Sequence, residues 1–302
     1  MKSHWRIIAC DLDGTLIGWD HKINERDLAA LRAARQAGFH VAICTGRNAT
    51  ECAGVIGSLK LAGPGVFVNG AMVSEMATGR SARCRFMPEA LVAEAVDFFG
   101  SRGHAVLLLA DDPAQRMPAY FMTEHGEPHR GTREWLLANR MHAERCDQPP
   151  ASHSGRIVRL GIVADVAEGR ALEREMAVRF GIGASHHSIY SPHYDVQVLE
   201  VFAAGVNKWT GIEALAEELG EDPRRVIAIG DDVNDLAMLR GATLSFAMAS
   251  AVPEVQSAAK RMTGSPAECG VAQVVEALLA GVLEPVSDER RGDNVGRENE
   301  NG

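Results

Sequence analysis

Apolar residues fall along the chain in short blocks separated by amphipathic stretches. The block Ile7, Ile8, Ala9, Cys10 predicts a buried strand, Asp27 to Ala37 an amphipathic helix, and His40 to Cys44 a second short strand. Asn24 occupies the N-cap position of that helix, Ile23 and Leu28 are spaced for a hydrophobic staple, and Gly38 terminates it. A second helical pattern over roughly Ala49 to Leu61 leads into the block Val66, Phe67, Val68. Strand, helix, strand, helix, strand predicts a parallel sheet. The alternation returns near the other end: a helix over Trp209 to Leu219, a strand over Val226 to Ile229, a helix over Asp235 to Leu239, a strand over Thr243 to Phe246 and a helix over Ala272 to Ala280. The two ends read as halves of one sheet.

Between them, from about Ala82 to Val198, strands and helices still alternate, but strands such as Arg156 to Val163 and Tyr194 to Glu200 carry alternating polar faces. That pattern predicts an antiparallel sheet with helices on one side. The fold class is therefore α/β: a Rossmann-like parallel-sheet core built from 1–81 and 200–285, with an inserted α+β domain over 82–199. The segment 286–302 is polar and lacks an apolar face, so it is expected to be disordered.

Composition narrows the function classes. A chain of 302 residues sits near the size at which one hydrophobic core divides into two. Its 31 basic and 40 acidic side chains leave a formal charge of −9, which speaks against nucleic acid or a membrane surface as partner, since both need clustered positive charge. No apolar stretch approaches the roughly 20 residues of a membrane span, and the N-terminus has only its short apolar block, so neither insertion nor secretion is indicated. The six Cys, at 10, 44, 52, 84, 146 and 269, form no C-x-x-C pair. A reduced, cytoplasmic protein is the simplest expectation.

The candidate chemistry gathers at expected strand ends. Asp11-Leu12-Asp13-Gly14-Thr15 places two carboxylates after the first strand, at the end of a parallel sheet where ligands bind. An acidic turn with Gly14 in the bend is the plain alternative. The second strand ends in Thr45-Gly46-Arg47, whose hydroxyl, flexible backbone and planar guanidinium suit an anion, or form a turn with a solvated Arg. The strongest local signal is Gly230-Asp231-Asp232-Val233-Asn234-Asp235. Acids packed together repel one another unless a divalent cation compensates, and oxygen ligands without His or Cys suit Mg²⁺ over Zn²⁺. The alternative there is an Asp N-cap with solvated acids. Lys208 begins a helix, where its charge opposes the macrodipole. It either neutralises phosphate oxygens or is one more exposed lysine.

As a set, D-x-D-G-T at 11–15, T-G-R at 45–47, Lys208 and G-D-x-x-N-D at 230–235 resemble the haloacid dehalogenase superfamily of aspartate-nucleophile phosphatases, specifically its Cof-type members with a large α/β cap. Asn69-Gly70-Ala71, Thr263-Gly264-Ser265 and Gly270-Val271-Ala272 are also similar to that family, and the insertion resembles the cap in position, length and strand-helix alternation. The resemblance implies Asp11 as nucleophile and Asp13 as general acid/base. It implies Thr45, Gly46 and Lys208 as phosphate-binding residues, with Arg47 and Asn69 contacting substrate. Mg²⁺ would be held by Asp11, the Asp13 backbone carbonyl and Asp231, with Asn234 and Asp235 completing or orienting the site. The activity implied is a Mg²⁺-dependent phosphomonoesterase acting on small phosphorylated metabolites, such as sugar phosphates or phosphorylated cofactors, through an aspartyl-phosphate.

A phosphomutase on the same core is the enzymatic alternative. A phospho-accepting signalling receiver is disfavoured by the substrate-sized insertion and by Asp13, because a signalling Asp needs a long-lived phosphate. A dinucleotide oxidoreductase is disfavoured because Val68 stands where the third Gly after Gly63 and Gly65 is needed. The family's usual A-M-G-N reads Ala247-Met248-Ala249-Ser250 here, and Thr243-Leu244-Ser245-Phe246 replaces small aliphatic residues; neither touches the four motifs, so activity is expected to survive.

The insertion contains eight of the eleven His, and His125 and His129 have H-x-x-x-H spacing around Gly126 and Pro128. Those two breakers predict a loop, and ordinary surface and packing roles for the His. Cys10 and Cys44 each precede a candidate site residue and are expected to share one face of the sheet, where oxidation would disturb Asp11 and Thr45 together; the bland reading is two inert buried thiols. Asn69-Gly70 and Gly205, both hinge-like, flank the insertion, so it is expected to be a movable lid.

Overall fold

The computed structural model describes residues 4–18, 22–147, 151–191 and 194–283, so the expected tail over 286–302 lies outside the described residues. Strand β1 (Ile7–Cys10), helix α1 (Glu25–Gln36) and strand β2 (His40–Ile43) form the first unit. Asn24 caps α1 by accepting the Arg26 amide at 3.0 Å. Helix α2 (Ala53–Leu59) starts later than its apolar pattern suggests. The reason is local: Asn48 accepts the Glu51 amide at 3.0 Å and donates to the Glu51 carboxylate at 2.7 Å, closing a turn over the residues before it.

The third expected parallel strand needs correction. β3 (Pro64–Phe67) touches the first sheet through a single parallel bridge, Cys44 to Val66, and pairs antiparallel with β4 (Met72–Glu75), which pairs with β5 (Ser81–Cys84). Val68 and Asn69 both adopt φ 53°, and two consecutive left-handed residues turn the chain back on itself.

The next stretch contains α3 (Glu89–Gly100), β6 (Leu107–Asp111), β7 (Pro118–Thr123), α4 (Arg130–Ala138), β8 (Ala143–Cys146), β9 (Ile157–Ala164), α5 (Val166–Phe180), β10 (Ala184–Ser191) and β11 (Val196–Ala203). Its strands build a six-stranded sheet in the order β10-β11-β9-β6-β7-β8. Two expectations fail here. β8 runs parallel to β7, reached through the α4 crossover, and helices cover both faces. Gly169 of α5 packs on Gln197 and Leu199, whereas Gly131 of α4 packs on Val163 and Val196, which point the other way from the sheet.

The chain then returns through α6 (Lys208–Leu219), β12 (Val226–Gly230), α7 (Leu236–Gly241), β13 (Leu244–Met248), α8 (Pro253–Ala258), β14 (Arg261–Thr263) and α9 (Gly270–Leu279). The parallel core sheet has the order β14-β13-β12-β1-β2. Ile8 and Cys10 face α1 and α9, where Leu31, Ala34, Val271 and Val275 are buried; Ile7 and Ala9 face Ile212, Leu215 and Met238 of α6 and α7. Cover on both faces is why these strands read as unbroken apolar runs. The register pairs Cys10 with Ile43, so Cys44 lies one step on and points to the opposite face. The two thiols therefore do not share a face, and burial raises the pKa of each. No helix among the described residues is long and apolar enough to cross a membrane.

Among the contacts between the outgoing and returning chain, one is backbone against backbone at Gly70. Gly70 has φ +99°, and a Cβ there would lie 2.0 Å from the Asn207 carbonyl oxygen. Gly38 has φ +91°, and a Cβ there would meet no atom within 4 Å. We expect Gly38→Ala to cost about 1 kcal/mol from backbone conformation alone. Gly70→Ala should cost clearly more in urea unfolding, because backbone must move as well. Equal losses would show that the contact at Gly70 is not a constraint.

Candidate active site

β1 and β12 are neighbours with Cys10 opposite Ile229, so Asp11 comes level with Gly230 and Asp231 follows one residue beyond the end of β12. Gly14 permits the approach: its φ is +85°, and a Cβ would sit 2.1 Å from Asp231 Oδ2. Thr15 Oγ1 donates to Asp231 Oδ1 at 2.7 Å. Carboxylate oxygens of Asp11, Asp231 and Asp235 all lie within 4.8 Å of one another.

Lys208 holds this group together. Asn207 caps α6 through a capping box with Thr210, which sets Lys208 as the first helical residue. Its Nζ donates to Asp11 Oδ1 and Asp235 Oδ1, both at 2.6 Å, with its side chain fully buried. The Lys208 pKa is raised: burial opposes its charge, but Asp11 and Asp235 outweigh burial and keep it protonated. The unfavourable position on the helix dipole is thus overridden by two direct partners. Asp235 Oδ2 accepts the amides of Asp231 at 2.9 Å and Asp232 at 3.1 Å, so both oxygens of this acid are engaged. That makes Asp235 an orienting group.

The carboxyls of Asp11 and Asp231 are pushed up, first by burial and next by the charge of Asp235; Asp231 reaches about 7. Asp11 Oδ2 has no hydrogen-bond donor among the described residues, while Oδ1 is held by Lys208. Asp13 differs in kind: it is about half exposed, and Arg47 grips both its oxygens, Nε to Oδ2 at 2.8 Å and a second, shorter arm to Oδ1. Thr45 is buried at the end of β2, and its hydroxyl oxygen accepts the Arg47 amide at 3.2 Å.

Asn69 has both ends of its side-chain amide in use. Nδ2 donates to Glu200 at 3.3 Å and Oδ1 accepts from Asn234 at 3.2 Å. Its backbone amide donates to the Thr45 carbonyl at 3.1 Å. Asn234 therefore reaches across to Asn69 in this arrangement. The replaced Gly-Asn pair, Ala249-Ser250, forms an exposed turn whose Ala249 carbonyl accepts Gln256 at 3.1 Å.

Neither Arg159 nor its neighbours stand out in the sequence as site residues. Arg159 of β9 is nearly buried, pairs with Glu200 at 2.8 Å, and donates to Gly46 O at 3.2 Å and Tyr120 Oη at 2.9 Å. Their only signal is that of single polar residues in strands of period two, a pattern that ordinarily marks a solvent face. Of the insertion's His, His129 caps α4 and approaches Asp165, and His125 is exposed. His187 packs on Phe202 with its pKa pushed down to about 4, first by burial and then by Lys208. Among the described residues, the group able to hold a metal is acidic and contains no His.

Comparison with known proteins identifies the family and the fold. The family description haloacid dehalogenase-like hydrolase matches residues 8–275. A 5-amino-6-(5-phospho-D-ribitylamino)uracil phosphatase of Bacillus subtilis is 27% identical over 292 residues, covering 91% of this chain and 98% of that one. An HMP-PP phosphatase of Klebsiella pneumoniae is 28% identical over 257 residues, covering 83% of this chain and 87% of the other. Among solved structures, a haloacid dehalogenase-like hydrolase from Bacteroides thetaiotaomicron superposes with TM-score 0.71 at 22% identity, over 91% of this chain and 99% of its own. A subclass IIB sugar phosphatase gives 0.73 at 19% identity, over 92% and 100%.

Lys208→Met leaves Asp11 and Asp235 buried without their cation. We expect a loss of about 3–5 kcal/mol in chemical denaturation at pH 8. The Asp11 carboxyl is already pushed up in the fold, first by burial, so its protonated form is favoured there and the deficit should shrink as pH falls towards 5. A deficit independent of pH would show that Lys208 acts through packing alone.

Proposed function

The chain belongs to the haloacid dehalogenase-like hydrolases, and from that premise we propose that it is a Mg²⁺-dependent phosphomonoesterase acting through Asp11 on small phosphorylated metabolites. The observation that carries this reading is Lys208 bridging Asp11 and Asp235 beside Asp231. Phosphoryl transfer to a carboxylate needs its charge repulsion cancelled, and Lys208 supplies part of that charge at Asp11. The names of relatives that act on a phosphorylated ribitylaminouracil and on HMP-PP, and of the structurally similar sugar phosphatase, support sugar phosphates or phosphorylated cofactors as substrates. The free thiols fit a cytoplasmic setting.

The donor set fits Mg²⁺. Asp11, Asp231 and the Asp13 backbone carbonyl would hold it, all hard oxygen ligands, and Asp11 and Asp231 are pushed up first by burial and next by the charge of Asp235, so three acids share one lysine. When bound, the ion supplies charge neutralisation for the phosphoryl group. Lys208 fixes one Asp11 oxygen and leaves the other to attack phosphorus. The Thr45 hydroxyl, the Gly46 amide and Lys208 hold phosphoryl oxygens. Asp13 protonates the departing oxygen, and its carboxylate then takes a proton from the water that opens the aspartyl-phosphate. Arg47 must share its grip on Asp13 with the incoming anion, which gives it a part in substrate binding. The second sheet and its helices, α3 to β11, serve as the cap expected over 82–199, which extends to the end of β11 at Ala203, with the Arg159 face turned towards the phosphate loop.

Two experiments test the reading. Asp231 has a raised folded-state pKa near 7, so the metal-free fold loses stability as pH rises from the ordinary carboxylate range, about 4, towards 7. Bound Mg²⁺ replaces those protons, so its effect on Tm should be larger at pH 8 than at pH 6, and Asp231→Asn should remove most of it. The same Tm gain at both pH values would exclude Asp231 as a ligand.

The second experiment separates the paired carboxylates by rapid-quench mass spectrometry. Asp11→Asn should form no phosphoenzyme with any ester. Asp13→Asn should lose about 10²- to 10⁴-fold in turnover, with phosphate accumulating on Asp11. Because a nitrophenolate leaves unprotonated and a sugar alkoxide does not, formation of the intermediate should survive best with the aryl ester. Equal impairment for both esters would remove Asp13 from the acid role.

A further inference from the structure

The second sheet turns a buried polar row towards the core. Tyr120, Leu109 and Arg159 are register partners across β7, β6 and β9; one step along, Gly161, Glu200 and His187 are partners across β9, β11 and β10. Arg159 is the centre of the row. One guanidinium arm reaches Glu200 and Gly46 O, and the other reaches Tyr120 Oη. Tyr120 in turn donates to Glu51, which also accepts from Asn48, and Glu200 accepts from Asn69, which accepts from Asn234. Each branch ends on a loop of the proposed phosphate site: 45–51, 69 or 230–235.

Stability alone does not account for this network. Burying one guanidinium with two carboxylates is commonly neutral or worse compared with apolar packing of the same volume. What the network adds is geometry, because a planar fork satisfied on both arms admits a single placement of its partners. Gly46 lies between Thr45 and Arg47, so a donor from β9 to its carbonyl ties the sheet directly to the phosphate loop.

We propose that Arg159 is a positioning residue: through Gly46 O and the Glu200–Asn69 link it holds the 45–47 loop and Asn69 in phosphate-binding geometry only while the second sheet is seated on the core. This rests on the phosphatase reading above.

The test uses the full chain and Arg159→Lys, which keeps the buried charge but cannot serve Glu200, Gly46 and Tyr120 together. Tyr120→Phe is a milder, charge-neutral second variant. The readouts are inhibition by inorganic phosphate, kcat/KM for p-nitrophenyl phosphate and for sugar phosphates, and hydrogen exchange at the amides of Arg47, Val68 and Asn69. We expect Arg159→Lys to weaken phosphate inhibition and to lower kcat/KM for every ester by a similar factor, about 10- to 100-fold. The three amides should exchange faster, and Tyr120→Phe should move all readouts the same way by less. Unchanged exchange with unchanged phosphate inhibition overturns the proposal. So does a loss confined to sugar esters with phosphate inhibition intact, which would make Arg159 a leaving-group contact. If wild type hydrolyses no phosphomonoester, the phosphatase reading fails, and the exchange measurement alone decides whether Arg159 holds the loop.

Discussion

A buried lysine between two carboxylates is the contact on which the rest of this arrangement depends. Lys208 comes from the helix that follows the inserted sheet, Asp11 from the first strand and Asp235 from the loop after β12. Without the cation, the ends of β1 and β12 would present like charges to each other in a space closed to water, where repulsion is strongest. With it, one negative oxygen stays available and the acid loop is pinned by three hydrogen bonds to Asp235. Packing of the strands below brings these groups into range; the charge pattern decides their angles.

The two sheets divide the work. The parallel sheet, apolar on both faces, is a rigid floor from which side chains project at strand ends. The second sheet meets it through polar groups, with the Arg159 row standing where apolar side chains could have packed. Apolar contact tolerates sliding, whereas a fork bonded to a carbonyl, a carboxylate and a phenol does not. That difference fixes the second sheet in one pose on the first.

Much of this is legible in the chain. β1, α1 and β2 follow from the period of their apolar residues and the Asn24 cap, and the acid cluster is visible as a repulsive run that invites a cation. What escapes the pattern is set by geometry acting across the chain. Val66 to Val68 has strand composition, but left-handed backbone at Val68 and Asn69 diverts it from the parallel sheet. Cys10 and Cys44 fall on opposite faces because the register is offset by one residue from the motif alignment. Arg159 and Glu200 look like the wet side of a strand, since nothing in a single alternating pattern says whether its polar face meets water or another sheet. Lys208 is ambiguous for the same reason, and its burial between two carboxylates is visible only in the fold.

The placement of Lys208 also fixes an order of events during synthesis. Asp11 and Lys208 are 197 residues apart, and β1 lies between β2, made early, and β12, made late. A ribosome adding 5–20 residues per second needs roughly 10–40 s to bridge that gap. Throughout it, the nascent N-terminal segment holds an apolar strand edge and an acid with no counter-charge. The second sheet, by contrast, uses one continuous stretch, and every strand of it is complete before β12 is made. The second sheet can thus have all its strands made while the β1 edge that β12 will cover is still open.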